Sequence, residues 1–425
     1  MSKRSIITFC LMWFSAGAFA QTTSGITLEK CFQLAEANYP LAAQKGILQS
    51  ISDEQISRIN AFWQPQATVN AQATYQSDVT HVPISFPGID IPVLSKDQYK
   101  ATLDVTQTLY DGGVTKQQRT MQQLSTAVET EKIDVDLYKL REKVSQLYFA
   151  VLIADKNIEL IKTLQSELAT QKDKLVAAQQ FGTASSFQTD QLQAEIFKAD
   201  QRLIEVQSAK TAAMNMLSQL TGINISASDA FATPEFTAQL SDTINERPEL
   251  KLIQLQQDLL QQQSDFASEA TLPKVALFAQ GGYGKPGLNF LDDAFKFYYI
   301  GGIKFSYSLW NGNTKKYDAA IAQLNRQTLD LNRNAFLQSG NIQTAQYRSD
   351  IQKYEQLIAS DTGIVALKQK LKAGATAQLD NGTLSAKDYI SYVNDETEAK
   401  ITMATHQMQL LSAQLNYLIT LGKIQ

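Results

Sequence analysis

Residues 99–120 read YKATLDVTQTLYDGGVTKQQRT, and this stretch decides the fold. Up to Tyr110, apolar and polar residues alternate, and a period of two is typical of a β-strand with two different faces. The Asp-Gly-Gly turn that follows leads directly to Val114, where a helical pattern of apolar residues begins. A strand therefore runs straight into a helix, with no sequence between them for a soluble core domain.

The same order of motifs occurs twice in the chain. Leu109–Gly112 has a counterpart 200 residues later in Leu309–Gly312. We predict two repeats, residues 21–222 and 243–425, joined by a connecting segment at residues 223–242. Further matching pairs are Gly182 with Gly382, Gly222 with Gly422, Pro40 with Pro248, and Pro65 with Pro273.

Four stretches are predicted strands: three alternate like residues 99–110, and the fourth, residues 275–283, is less regular because Phe278 breaks the pattern. They form one hairpin over residues 67–110 and a second over residues 274–310. Each strand is close to the 9–11 residues, roughly, with which a tilted strand crosses a bilayer. Aromatic residues cluster at both ends of the strands, as in the girdles of membrane barrels. A soluble sheet that packs one face on a core is the alternative that remains open.

Four strands cannot close a barrel, because the smallest barrels need about eight. The sheet is therefore either soluble or completed by several copies of the chain. Asp104 and Lys304 both fall on the polar face of predicted strands, so they would face the lumen of such a barrel. They either pair across the lumen wall at one height or are each simply solvated.

The predicted helices are too long for an ordinary globular domain. Residues 114–180 contain no proline, and their apolar residues follow the three-and-four spacing of a coiled coil. One such helix would be about 100 Å long, at roughly 1.5 Å per residue. Residues 28–62 and 186–221 together match that length, so two shorter helices can lie beside the long one. The second repeat offers the same set in residues 244–270, 314–373 and 386–421.

The turns between helices carry specific signals. Gly182 and Gly382 can take the left-handed conformation that ends a helix. Capping boxes, in which two side chains satisfy backbone groups at a helix start, are predicted at three places. They pair Ser185 with Gln188, Ser385 with Asp388, and Thr243 with Glu246.

The N-terminus predicts export. A positive start, an apolar core and the small-residue end Ala18-Phe19-Ala20 are typical of a signal peptide over residues 1–20, so the mature chain would begin at Gln21. Cys31 is then the one cysteine left, and no intrachain disulfide can form. No later apolar run is long enough for a membrane helix, so a chain that spans a membrane must do so with strands.

Other classes of function find little support in the sequence. The net charge is −4 without a basic block, which argues against a nucleic-acid partner. The two histidines, His81 and His406, lie far apart, and His406 occupies a heptad position where a buried or interface histidine is expected. There is no nucleophile elbow and no phosphate loop, so we predict no enzyme, no cofactor and no catalytic, cofactor-binding or metal-binding residue.

Several short motifs follow one another in a fixed order. They are residues 28–40 (LEKCFQLAEANYP), 109–113 (LYDGG), 181–195 (FGTASSFQTDQLQAE), 247–250 (RPEL), 272–274 (LPK), 309–312 (LWNG) and 381–383 (NGT). Each motif is weak alone. In this order, over nearly the whole mature chain, they resemble the TolC family of outer-membrane efflux proteins.

The resemblance implies a mainly α protein with β. Three copies would close a twelve-stranded membrane β-barrel, four strands from each protomer, continuous with a long antiparallel coiled-coil α-barrel. Residues 223–242 and the C-terminal tail would form an equatorial region. The protein would lie in outer-membrane lipid with a long periplasmic extension.

The resemblance also implies a function and partners. The homotrimer would be the passive exit duct of a tripartite efflux or type I secretion system, joined to a periplasmic adaptor and an inner-membrane pump of the RND, ABC or MFS type. The pump would supply the energy and most of the choice of cargo, which this sequence does not reveal.

In this family a ring of aspartates narrows the periplasmic tip. Asp388 matches the first ring position, and Ser391 occupies the second, where the best-known member has an acidic residue. A ring of carboxylates would favour cations, although Asp388 also fits a capping box. The family's locking contacts would fall on Gln188, Leu379 and Leu384. None of these three is charged, which argues against the same lock in this chain.

Two rival interpretations are compatible with export and heptads. A trimeric coiled-coil surface or structural protein with a β anchor would not conduct ions, and its anchor is usually single, whereas this chain has two strand pairs. A periplasmic adaptor would have one helical hairpin and soluble β-domains, and without a lipid it would leave membranes in a carbonate wash.

Overall fold

The computed structural model describes residues 25–80, 93–236, 246–269 and 271–424. The predicted signal peptide at residues 1–20, the mature start at Gln21 and the third capping box at Thr243 lie outside this part. Within it, no helix is both long and apolar enough to cross a membrane.

The described residues form long helices and one antiparallel sheet, and the predicted class of mainly α with four strands is confirmed. A short 3-10 turn, Ala61–Trp63, precedes the first strand. The elements in chain order are α1 (Leu28–Asn38), α2 (Pro40–Asn60), β1 (Gln66–Tyr75), β2 (Asp97–Tyr110), α3 (Val114–Gln180), α4 (Ser186–Thr221), α5 (Pro248–Glu269), β3 (Lys274–Lys285), β4 (Lys296–Ser306), α6 (Thr314–Asp380) and α7 (Ala386–Leu421).

Two helices begin at a proline, at positions where the sequence did not predict a helix start. The stretch 28–62 is not one helix but α1 and α2, separated at Tyr39, whose backbone is extended (φ −68°, ψ 126°). Proline disfavours the helical conformation in the residue before it and suits the first turn of a helix. For the same reason α5 begins at Pro248 rather than at residue 244, since Glu246 and Arg247 are not helical.

Two ends in the second half of the chain also need correction. The helix predicted over residues 314–373 continues to Asp380 through Gly374. A single glycine costs a helix only about 1 kcal/mol relative to alanine, and the next turns bury Ala375 and Leu379. The hairpin predicted to reach residue 310 ends at Ser306, because its partner Lys274 is the first residue of β3.

The four strands lie in the order β1-β2-β3-β4, so β2 and β3 join the two hairpins. The register pairs Thr68 with Asp104, Asp104 with Gln280, and Gln280 with Ile300. Even-numbered residues therefore share one face of the whole sheet and odd-numbered residues the other, up to an irregularity between Thr108 and Tyr110.

An aspartate fixes the turn between sheet and helix. The Asp111 carboxylate accepts hydrogen bonds from the backbone N–H groups of Gly113 at 2.9 Å and Thr115 at 2.7 Å, and so caps the start of α3. Gly112 has a positive φ of 75° and lies close to the Cβ of Leu272, so a side chain would not fit there. The LYDGG motif thus sets the direction in which the helix leaves the strand.

The chain divides into two compact units. The first contains residues 25–35, 144–236 and 357–411, and its core is a coiled-coil seam of α3, α4, α6 and α7 that includes Leu168, Leu192 and Val393. Of the connecting segment, residues 223–236 form no helix. The Tyr148 hydroxyl lies 2.8 Å from the Ile26 carbonyl oxygen and 2.6 Å from that of Ala232.

The second unit contains residues 36–143, 238–356 and 412 onwards, of which the described part includes the whole sheet. Its helical core includes the buried end of α7, where the Tyr138 hydroxyl donates to the Ile419 carbonyl at 2.7 Å. Burial of the phenol raises the pKa of Tyr138 to about 12.

Candidate functional site

The turns between α3 and α4 and between α6 and α7 hold the predicted tip residues. Gly182 and Gly382 both have φ 71°, the left-handed conformation expected at the end of a helix. At the start of α4 the Ser185 N–H donates to Gln188 Oε1 at 3.2 Å, which completes a capping box. The Gln188 side chain is therefore hydrogen-bonded within its own turn.

The box at the start of α7 is only half formed. The Asp388 N–H donates to Ser385 Oγ at 3.2 Å, and the Ser385 hydroxyl donates to the Asp388 carboxylate at 2.7 Å, where the prediction has a backbone N–H as donor. An aspartate is one methylene shorter than the Glu or Gln usual in this motif, so its carboxylate falls short of the backbone. Asp388 and Ser391 are exposed, one turn apart, on the side of α7 opposite the buried Tyr389.

The other two tip candidates are part of the packing. Leu379 is 3% exposed within the apolar seam of the first unit, and Leu384 packs against that seam. The structure thus places Leu379 inside the seam and Leu384 against it, while Asp388 and Ser391 remain on the surface. Whether any of the five residues lines a tip in an assembly stays a prediction.

A charged cluster near these turns was not found by sequence reasoning. Lys372 Nζ of α6 lies 2.9 Å from the carboxylate of Glu167 in α3 and 2.6 Å from that of Glu396 in α7. Lys400 Nζ lies 2.6 Å from the same Glu396, whose side chain is only 3% exposed. The signal was present, because Glu396 continues the spacing of Tyr389 and Val393 and so falls on the coiled-coil seam.

The ion pairs set the charge of this cluster. Burial raises the pKa of Glu396, but hydrogen bonds and the positive charges of Lys372 and Lys400 outweigh it, and the pKa lies below its usual value. Burial lowers the pKa of Lys372, but the carboxylates of Glu396 and Glu167 reverse this and raise it. Glu396 and Lys372 are therefore both charged at neutral pH, and the cluster ties α3, α6 and α7 together.

The two remaining residues of interest are single side chains. His406 Nδ1 lies 2.7 Å from the Asp361 carboxylate in a partly buried contact between α7 and α6, as expected for a packed histidine. Cys31 is fully buried, and burial raises the pKa of its thiol to about 11. Among the described residues, no group of three or more His, Cys, Asp or Glu could hold a metal ion.

The two faces of the sheet differ in chemistry. The odd-numbered face is apolar, and many of its side chains are exposed although they are large. Aromatic rings gather on it near the β3–β4 turn. The exposed members of this face are Val69, Tyr75, Tyr99, Leu103, Leu277, Tyr283, Phe297, Tyr299, Ile303 and Phe305. No core packs on this face in the described chain.

The even-numbered face is polar and holds Asp104 in place. Its carboxylate accepts hydrogen bonds from the Asn70 amide at 2.7 Å, the Thr102 hydroxyl at 2.9 Å and the Gln280 amide at 2.5 Å. The register puts Asp104 level with Ile300 of β4, four residues from Lys304. Within one chain Asp104 and Lys304 therefore do not lie at one height, and a pair across the lumen wall between copies stays a prediction.

Aromatic rings on this polar face lie flat over glycines. The Tyr298 ring covers Gly282, where any added Cβ would collide with it. The Phe278 ring covers Gly302, and a Cβ there would come within 3.1 Å of the ring. Aromatic residues shield glycines across strands in this way. The rings consequently rest on the wall of the sheet rather than projecting from it.

Comparison with known proteins identifies this architecture. No protein-family model matches the chain, and no curated protein sequence matches it. Solved structures do match: the outer membrane protein VceC of Vibrio cholerae has 15% identity over 93% of this chain and 96% of its own, with a TM-score of 0.66. CusC, whose structures concern transmembrane channel formation, has 14% identity, 93% and 91% coverage and a TM-score of 0.68.

The open state of the MtrE outer membrane channel of Neisseria gonorrhoeae has 15% identity, 93% and 88% coverage and a TM-score of 0.66. The chain has the TolC-like fold of outer-membrane channels. The resemblance predicted from its motifs is thereby confirmed at the level of the fold. At this identity the likeness concerns the TolC-like backbone arrangement.

Proposed function

We propose that the chain is one protomer of a homotrimeric outer-membrane channel. The trimer would be the exit duct of a tripartite efflux or type I secretion system, with a long periplasmic extension. Substrates would pass through it passively from the periplasm and an inner-membrane pump to the exterior. The protein would have no enzymatic activity of its own.

One observation carries this proposal: the sheet has a continuous apolar face on which no core of the described chain packs. Exposed Val69, Leu103 and Ile303 lie on that face with the rings of Tyr99 and Tyr299. Large apolar surfaces are rarely left in water, because burying them is worth about 25 cal/mol per Å². A lipid bilayer covers such a face, and the polar face opposite then lines a lumen.

The open edges of the sheet argue for several copies. Neither β1 nor β4 has a second strand neighbour within the described chain. In lipid every backbone polar group needs a partner, so a membrane sheet must close. Three copies would supply twelve strands, and edge β4 of one copy would pair with edge β1 of the next. The twelve-stranded trimeric barrel implied by the resemblance would close the sheet in this way.

The helices give a second reason for assembly. α6 exposes a series of large apolar side chains at helical spacing. This series consists of Tyr317, Ile321, Leu324, Leu331, Ile342, Ile364, Leu367 and Leu371. Coiled-coil seams of this kind are completed by a further helix, which a sister protomer would provide to form an α-barrel.

The partners would be a periplasmic adaptor and an inner-membrane pump of the RND, ABC or MFS type. The helical turns at residues 181–185 and 381–385 would meet them at the periplasmic tip. There Asp388 and Ser391 would occupy the two ring positions, with Gln188, Leu379 and Leu384 behind them. Asp104 and Lys304 would face the lumen of the barrel.

The experiment is purification of the mature chain in detergent, with its mass measured by light scattering, followed by insertion into planar bilayers. A trimer that conducts and that resists carbonate extraction from outer membranes supports the proposal. A stable monomer without detergent would refute it. A trimer that never conducts would favour the second candidate, a coiled-coil surface protein with a β anchor.

A further inference from the structure

The polar face of the sheet carries an excess of positive charge. The register puts the charged even-numbered residues of all four strands on that face. They are the lysines Lys100, Lys274, Lys296 and Lys304 and the single carboxylate Asp104. In the proposed trimer each of these positions would occur three times around the lumen.

The one carboxylate is less available than the lysines. Three side-chain donors already hold Asp104 against the wall, from Asn70, Thr102 and Gln280. Lys304 is exposed and lies opposite Ala276. Lys100 Nζ lies 5.8 Å from the centre of the Tyr298 ring and also interacts electrostatically with Asp104, and Lys296 Nζ lies 3.4 Å from the Asp292 carboxylate. With four lysines and one carboxylate among its strand residues, this face carries a positive net charge.

Lys100 belongs to a recess of mixed chemistry. The turn after β3 folds back over the polar face, so that Leu288 and Phe290 border a recess of about 420 Å³. Its other side presents Lys100, the amides of Gln72 and Gln98, and the Tyr298 ring. An anion with an apolar body would find a charge, amide donors and apolar surface within one recess.

We infer that the polar face of the sheet is an anion-preferring filter, with Lys100 and Lys304 as its specificity-determining residues. The cargo class for which this filter is suited is organic anions with an apolar part. The inference rests on the proposed function, because it takes the polar face to line a lumen. It goes beyond that function in naming a substrate class, and its sign is opposite to that of the Asp388 ring.

The filter can be tested by ion selectivity in planar bilayers under a tenfold gradient of potassium chloride. Asp388→Asn is used as the background, so that the predicted ring position carries no carboxylate. The Asp388→Asn channel should prefer chloride. Adding Lys100→Gln and Lys304→Gln to it should lower the chloride-to-potassium permeability ratio by about threefold for each of the two sets of three lysines that is removed. Lys100→Arg with Lys304→Arg keeps the charge and should keep the ratio.

Salt provides an independent check on the same proteins. The Debye length falls from about 10 Å at 0.1 M salt to about 3 Å at 1 M. The difference between the Gln and Arg variants should therefore shrink as salt is raised. Equal permeability ratios in the Gln and Arg variants at low salt would overturn the inference while the channel itself still conducts. No conductance in any of these proteins would overturn the proposed function and this inference with it.

The recess has its own readout. Naphthalene-1-sulfonate added to the Asp388→Asn channel should block the potassium chloride current, and Lys100→Gln should weaken that block at least threefold more than Lys304→Gln does. A naphthyl cation of the same size should block less well. Equal block by anion and cation, or equal effects of the two lysine substitutions, would overturn the assignment of organic anions to this recess.

Discussion

Replacing Lys372 by methionine should loosen the packing of α3, α6 and α7 next to their turns. The substitution keeps the length of the side chain but removes Nζ from its contacts with Glu396 at 2.6 Å and Glu167 at 2.9 Å. Glu396 is 3% exposed in its side chain and would keep only Lys400 as a partner. A buried carboxylate would thus lose half of its compensation.

The size of the effect follows from burial. Removing one partner of a fully buried ion pair costs about 3–5 kcal/mol. Lys372 is 19% exposed and Lys400 stays within 2.6 Å of Glu396, so the cost here should be smaller. We expect about 2 kcal/mol of local stability to be lost, which is roughly a 30-fold increase in local opening.

Hydrogen exchange of the purified trimer, followed by mass spectrometry, measures this opening in the helices themselves. Peptides of α7 around Glu396 should exchange faster in Lys372→Met. Lys370→Met is the matched control, because Lys370 is exposed on the same helix two residues away. Adding Glu396→Leu to Lys372→Met should restore slow exchange, since apolar pairs often replace buried ion pairs without loss. Equal exchange in the Lys372 and Lys370 variants would refute this reasoning.

The dependence on pH has a definite sign. The pKa of Glu396 is lowered by folding, so the stability that it contributes is complete above the ordinary glutamate pKa of about 4.3 and is lost as the pH falls through the lower, folded value. The wild-type exchange rate should therefore be insensitive to this group at neutral pH. The difference between wild type and Lys372→Met should disappear only in acid below about pH 4.

Three further predictions concern other sites. Asp388→Ala trimers should lose cation preference in planar bilayers, and unchanged selectivity would reject a carboxylate ring; the helix cap should be kept, because Ser385 Oγ accepts from the backbone N–H of residue 388. Gly282→Ala should push the Tyr298 ring off the wall and lower the single-channel conductance, whereas Gly281→Ala, with open space around its Cβ, should not; equal conductance would contradict the ring-over-glycine contact. The Cys31 thiol should resist iodoacetamide at pH 8 until the protein is denatured, because a pKa of about 11 leaves about one thiol in a thousand ionised; fast labelling of folded protein would contradict its burial.

The elements that could be predicted are those that depend on local periodicity. Residues 114–180 form a helix because heptads continue without proline, and residues 99–110 form a strand because apolar and polar residues alternate from Tyr99 to Thr106. The break in the helix at Tyr39 could also have been predicted, since Pro40 biases the residue before it against the helical conformation. Gly374 caused the opposite error, a helix predicted to end too early. The packing of Ala375 and Leu379 outweighs the small cost of one glycine in the helix.

The features that sequence reasoning missed depend on register and on which helix faces which. The spacing of 200 residues between Asp104 and Lys304 suggests one height, but the order β1-β2-β3-β4 and its pairing set them four residues apart. The cluster of Lys372 with Glu396 needs three helices in a known rotation, which periodicity in one helix does not supply. The capping box at Asp388 is only half formed because the aspartate side chain is one methylene shorter than that of Glu or Gln.

The two hairpins share their motif spacing but not their chemistry, and this difference supports the filter. β1 has no charged residue, and on its polar face Thr68, Asn70, Gln72 and Thr74 are neutral. β4 carries Lys296 and Lys304 on the same face. In the proposed trimer the open edge of β4 can meet only the open edge of β1 from the next copy. The lysines would then lie beside neutral amides and hydroxyls, with no carboxylate across the junction to cancel them, so closing the barrel would preserve the positive charge of its lumen.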